Sequence, residues 1–361
     1  MADVTSGTSL DTGEAPEPER RASLARLVRH LLDVGLVTAA DAHGVGFVAY
    51  DAGMSHAVGV VTLGDGRGFV VKELLEPVEG SQGTPAQERA IYRLAAAVPA
   101  LEEFVAPVID LGDGSPFIVL DLRADDESVA SRAARTGWSD GQLATLLGVA
   151  IGSWHERSRP FRTELPVVPL PWVLRILDDD RPDYLRSNGF VAAAIDTLDA
   201  SWHPHLAQAR ELWRTSGVVH RDLRFDNCLV SPTGRVTFVD WESGGQGDPI
   251  WDLATLAQEL VSASAARDAP SWVPVLSGSV RLLIEAYRAS CPSEPWAPDG
   301  AERLVSFTAA RLLQRGLQLA ARGIPELDAQ RDRHLSLAQL LFTDPTIGAN
   351  LAAAAPAEVA A

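Results

Sequence analysis

The chain has 361 residues, 46% of them apolar and 22% charged, with 31 Lys and Arg against 48 Asp and Glu for a formal net charge of −17. That composition is ordinary for a globular protein and excludes a collagen-like, disordered or coiled-coil chain. A chain this acidic repels bare nucleic acid and anionic membrane, so neither is expected as a partner. Two cysteines, Cys228 and Cys291, cannot build a disulfide framework. They point to a reducing compartment and a cytoplasmic location. No apolar run reaches the roughly 18 residues of a membrane span.

Residues 1–20 hold five acids and no aromatic. They read as a disordered tail, with neither the basic start nor the apolar run of a signal peptide. Leu24, Leu27, Val28, Leu31 and Leu32 recur at helical spacing and predict a helix over Leu24–Val37. The period then changes. Val45–Tyr50, Val58–Leu63 and Gly68–Leu74 are short apolar runs with tight polar connections, which predicts an antiparallel meander. Thr84, Pro85 and Gln87 form a helix-start pattern, with Gln87 reaching back as in a capping box, and that helix runs to about Ala97. Val105–Leu111 and Pro116–Leu122 make another strand pair around Gly112 and Gly114. From Ser139 the character is helical, beginning with Gln142–Glu156. A mostly β part thus precedes a mostly α part, and a cleft between them is the expected ligand site. The expected divisions are 1–20 (a disordered tail), 21–123 (a mostly β lobe), 124–348 (a helical lobe) and 349–361 (a flexible tail).

The densest signal is Val218 to Val230, which contains His220, Asp222 and Asn227, followed after a turn by Arg235 to Glu242 with Asp240. Charged residues interrupt two apolar strands there, and such burial is costly unless the charges are paired or hold a cation. Phosphoryl transfer calls for this set. Asp222 would orient the attacking hydroxyl and accept its proton, while Asn227 and Asp240 offer Mg²⁺ hard oxygen ligands. His220 would pin the loop. Any one of these residues alone reads better as a solvated turn residue. Six in order, with Asp248 and Asp252, outweigh that reading.

His-x-Asp-x-x-x-x-Asn followed by a strand-end Asp resembles the kinase-like superfamily. Asp240-Trp241-Glu242 and Gly247-Asp-Pro-Ile-Trp-Asp-Leu-Ala254 resemble its aminoglycoside phosphotransferase and choline kinase branch, over roughly residues 40–325. The fold implied is α+β and two-lobed, protein-kinase-like, with an antiparallel β N-lobe carrying one key helix and a mostly α C-lobe. The cofactors implied are ATP and Mg²⁺. Lys72 then corresponds to the lysine that pairs ATP phosphates with a helix glutamate, here Glu88. The phosphate-covering turn falls at Gly53 and Ser55, and the adenine edge at Asp121 and Leu122. Arg221 departs from the branch, which usually has Gly there; the residue keeps a polypeptide-like acceptor open.

The acceptor is less legible. Arg311, Arg315 and Arg322 lie on one predicted helix, and an acidic stretch, Asp178–Asp180, lies in the insert before the catalytic loop. Arg224 to Val230, Asp240-Trp-Glu242 and Pro171-Trp-Val-Leu174 are similar to the kinase components of class V lanthipeptide and thioamitide pathways. That resemblance implies phosphorylation of Ser or Thr in a precursor peptide, with a partner lyase of the HopA1 type eliminating the phosphate. The alternatives are a small-molecule kinase of an aminoglycoside, amino sugar or similar alcohol, and an inactive nucleotide-binding scaffold.

Overall fold

The computed structural model describes residues 17–52, 57–74, 84–112, 114–136, 140–177, 195, 198, 200–267, 276–293, 296, 299–344 and 346–347. Gly53, Ser55, Asp178–Asp180 and the 349–361 tail lie outside these residues. The chain forms two compact units, Met1–Leu75 with Pro107–Ala124, and Glu76–Ala106 with Asp125–Ala361.

The first unit is built on one antiparallel sheet. Strands β1 (Val48–Asp51), β2 (Val58–Thr62), β3 (Gly68–Glu73), β4 (Val108–Asp110) and β5 (Phe117–Asp121) lie in the order β1-β2-β3-β5-β4. Helix α1 (Glu17–Asp33) begins inside the stretch expected to be disordered. Pro18 and the acids Glu17 and Glu19 are good first-turn residues, and composition alone hid that start. The helix seats Leu27 and Leu31 in a core with Val61, Phe69, Val71 and Val119. Arg26 donates to Glu73 at 2.9 Å, tying α1 to the end of β3. The single turn α2 (Ala39–Ala42) is closed by a capping box between Thr38 and Asp41. Val45 is fully exposed, so β1 starts three residues later than its apolar run suggested.

The chain leaves this unit for α3 (Pro85–Ala97) and returns for β4 and β5. Thr84 caps α3 as expected, accepting the Gln87 N–H at 3.1 Å. The reciprocal half of the capping box is not made. The Thr84 N–H donates instead to the Glu242 carbonyl at 3.0 Å, which removes the group Gln87 would have bound.

The second unit is mostly helical. β6 (Glu127–Ser128) leads into α4 (Val129–Thr136), and α5 (Asp140–Ser158), α6 (His203–Glu211), α7 (Pro249–Arg267), α8 (Arg281–Ser290), α9 (Gly300–Ala321) and α10 (Asp328–Thr343) follow. Between α6 and α7 run β7 (Gly217–Val219), β8 (Cys228–Val230), β9 (Val236–Phe238) and β10 (Gly245–Gly247). β8 pairs antiparallel with β9, and β7 with β10. α5 and α8 pack with almost no separation: a Cβ at Gly148 would lie 2.5 Å from the Leu283 carbonyl oxygen, and one at Gly152 2.7 Å from that of Tyr287. Trp154 and Trp241 pack with ring centroids 4.6 Å apart at the centre, and Phe104 and Phe238 flank them. Among the described residues no helix is long and apolar enough to cross a membrane.

Candidate active site

The loop after β7 is held by buried side chains whose partners are mainly backbone. Asp252, one turn into α7, is fully buried. Its Oδ2 accepts the His220 N–H and its Oδ1 the Arg221 N–H, both at 2.7 Å. His155 on α5 supports the same carboxylate, with Nε2 3.2 Å from Oδ2 and Nδ1 3.1 Å from the Tyr287 hydroxyl. A carboxylate with this many donors can stay buried.

His220 is also fully buried. Its Nε2 lies 2.8 Å from the Val239 carbonyl, so that nitrogen donates, and Nδ1 accepts the Asp222 N–H at 3.3 Å. The sequence placed His220 in the catalytic string with Asp222, as the residue expected to pin the loop. Both its ring nitrogens are spent on backbone, which makes it a positioning residue for the loop that carries Asp222.

Among the described residues two non-glycine residues take left-handed backbone, Arg221 (φ 72°) and Asp240 (φ 69°), and both belong to this site. Arg221 therefore stands in a conformation that suits glycine. It is held there by Asp252 on its N–H and by the Trp251 indole N–H on its carbonyl at 3.2 Å. Burial pulls its guanidinium down to about 10, against the attraction of Asp252 and Asp222.

Asp222 itself is half-buried. Arg224 Nε lies 3.2 Å from its Oδ2, and Arg311 Nη2, from α9, lies 3.5 Å from its Oδ1. The Asn227 amide donates to the Asp222 carbonyl at 2.8 Å, which orients the side-chain oxygen of Asn227 away from that carbonyl. The Val239 N–H donates to the Asn227 carbonyl at 3.0 Å, extending the β8–β9 ladder. Asp240 follows at the end of that ladder and is half-buried. Asp222, Asn227 and Asp240 are thus gathered by one hairpin and its preceding loop.

Asn227 and Asp240 are an oxygen pair suited to a hard divalent cation that keeps water or phosphate ligands. Among the described residues no group of three or more His, Cys, Asp or Glu could hold a metal by itself. Asp248 belongs to the scaffold: it caps α7 through the Ile250 N–H at 3.0 Å, accepts the Arg214 N–H at 2.8 Å, and pairs with fully buried Arg303. In the sheet unit Lys72 is buried in β3. Glu88, also buried, lies on α3, the helix whose cap residue binds Glu242. Asp121 N–H donates to Pro107 and Leu122 N–H to Gly68, so neither N–H is open to an adenine edge. Pro171-Trp-Val-Leu174 folds inward, with Trp172, Val173 and Leu174 buried. Sequence reasoning missed Arg224 as a partner of Asp222. Its i+2 spacing was the available signal.

A family model described as the phosphotransferase enzyme family, APH, matches residues 15–274. The chain belongs to this family. It is an ATP-dependent kinase with a hydroxyl group as acceptor. Its fold is similar to that of a choline/ethanolamine kinase family protein from Mesorhizobium loti, at 19% identity, 92% of this chain, 99% of that one and a TM-score of 0.57. It is also similar to an ethanolamine kinase from Plasmodium vivax, at 10% identity, 94% and 98% coverage and a TM-score of 0.56. A third is the amicoumacin kinase hAmiN in complex with AMP-PNP, Ca²⁺ and Ami, at 14% identity, 91% and 96% coverage and a TM-score of 0.53. At these identities the likeness is one of fold. No curated protein matches the chain significantly in sequence.

Proposed function

We propose that this phosphotransferase moves the γ-phosphoryl group of Mg-ATP to the hydroxyl of a small-molecule acceptor. Asp222 orients that hydroxyl and takes its proton as the oxygen attacks phosphorus. The observation that carries the reading is the placement of Asp222: it is half-buried on a loop whose backbone is fixed by Asp252 and His220, beside Asn227. Such pre-set geometry is what proton transfer to a positioned carboxylate needs. Asn227 and Asp240 would hold Mg²⁺, which when bound offsets phosphate charge. Lys72 and Glu88 would serve the ATP phosphates, and the adenine edge would meet carbonyls of Asp121 and Leu122 or the backbone of Arg123. Gly53 and Ser55 would cover the phosphates.

Small-molecule kinases among proteins of similar fold support the small acceptor. The peptide reading, with Ser or Thr of a precursor as acceptor and a lyase downstream, draws its support from the arginines of α9, which suit an acidic peptide. Burial of Trp172–Leu174 weakens it, because a string that resembled peptide-modifying kinases packs in the core. The test is mass spectrometry of aminoglycosides, simple alcohols and Ser-containing peptides after incubation with Mg-ATP, beside Asp222→Asn. A gain of one phosphoryl group on a small alcohol, reduced about 10²-fold or more in the variant, is the expected result. Phosphorylation of peptides alone would move the assignment to the second reading, and unchanged turnover in Asp222→Asn would remove its role.

A further inference from the structure

One face of α9 presents Arg311, Arg315 one turn later, and Arg322 at the C-cap, all on the same stripe. Arg311 is buried, lies with its guanidinium carbon 5.7 Å from the centre of the Trp251 ring, and reaches Asp222 only at 3.5 Å. Its Nε is buried without a hydrogen-bond partner among the described residues. Arg315 is half-buried and makes no hydrogen bond or ion pair among the described residues. Burial works against its charge, as do Arg322, Arg224 and Arg311, while Glu259 favours it. Glu259 directs its hydrogen bonds to the Phe225 N–H (Oε2, 3.3 Å) and the Gln258 amide (Oε1, 3.1 Å), while its charge favours Arg311 and Arg315.

Arg311 thus lies beside Asp222 with a buried N–H left open, and Arg315 follows one turn later on the same face, in a chain whose overall charge is −17. A basic background cannot explain that pair. Leaving a buried guanidinium N–H without an acceptor is unfavourable, and a bound anion would fill that position. A planar guanidinium matches a carboxylate or phosphate through paired N–H donors. A cationic acceptor would meet repulsion at the same place.

We infer that the acceptor is a small alcohol bearing an anionic group, a carboxylate or a phosphate, which Arg311 and Arg315 bind while its hydroxyl faces Asp222. This rests on the phosphotransfer reading above and names the class of molecule that reading leaves open. Both arginines are binding residues that sort acceptors by charge.

The test measures calorimetric binding to the full chain saturated with Mg-AMP-PNP, so that the nucleotide's own phosphates are already seated. The probes are D-glycerate and sn-glycerol 3-phosphate, with glycerol and serinol as neutral and cationic counterparts and an acidic Ser-containing hexapeptide as a further arm. At least one anionic small probe should bind tenfold or more tightly than glycerol and serinol, and which of the two wins tells carboxylate from phosphate. Arg315→Gln, which changes a half-buried side chain, should remove at least tenfold of that preference. Arg311→Lys should remove part of it, by keeping the charge and losing the fork. Equal or tighter binding of glycerol or serinol overturns the inference. So does a preference untouched by Arg315→Gln, failure of both small anions to bind, or binding of the peptide alone. The underlying reading is checked separately: if wild type does not bind Mg-AMP-PNP, the phosphotransfer assignment of these residues fails whatever the anions do.

Discussion

The carboxylate of Asp252 receives the backbone N–H of His220 at 2.7 Å, from a helix 32 residues further along the chain. With the Arg221 N–H on its other oxygen, this one side chain fixes the backbone that leads to Asp222. The loop that carries Asp222 is shaped from beneath, by a buried carboxylate.

Asp252→Asn tests that relationship. An amide offers one acceptor oxygen and sets an NH₂ against a backbone donor, so one buried N–H loses its partner. The expected cost is about 1–3 kcal/mol in denaturant unfolding. Turnover should fall at least tenfold through displacement of Asp222, with nucleotide affinity changed far less. Full activity in a folded variant would show that the loop holds its shape without this anchor.

Asp240→Ala should abolish the Mg²⁺ dependence of nucleotide binding, because Asn227 alone is a weak site for a hard dication. Nucleotide affinity in wild type and variant, with Mg²⁺ and with EDTA, reports this directly. If wild-type affinity is the same under both conditions, Asp240 is not a metal ligand.

The buried pair Asp248–Arg303 makes a pH prediction. Burial raises the Asp248 carboxyl from 3.8 to about 6, against the pull of Arg303. The folded chain thus keeps this proton at pH values where the unfolded chain has released it. Stability from this group is full below about pH 4 and declines as pH rises through about 6. Asp248→Asn leaves Arg303 buried without its counter-charge and should cost about 3–5 kcal/mol. The double variant Asp248→Asn/Arg303→Met should recover much of that loss. Subtracting its unfolding free energy from that of wild type at each pH isolates the decline, and a flat difference between pH 4 and 7 contradicts it.

Both cysteines are buried, and burial pushes the Cys228 thiol well above its usual range. The native chain should resist a thiol reagent at neutral pH, whereas the unfolded chain should titrate two thiols. Rapid labelling of native protein at Cys228 would mean that the β8 strand opens readily.

Sequence alone determined the local parts of this protein. The meander of β1–β3, the Thr84 cap and the string from His220 to Asp240 were legible because hairpins and helix starts are written in neighbouring residues. Asp222, Asn227 and Asp240 share one loop and one hairpin, so spacing was enough to group them. Tertiary structure decided what meets them. Arg311 stands 89 residues from Asp222, and only the packing of α9 brings the two within 3.5 Å. The capping box at Thr84 was a sound local expectation that lost to a distant carbonyl, Glu242. Periodicity shows which side of an element is buried, but what covers that side is set by contacts across the chain.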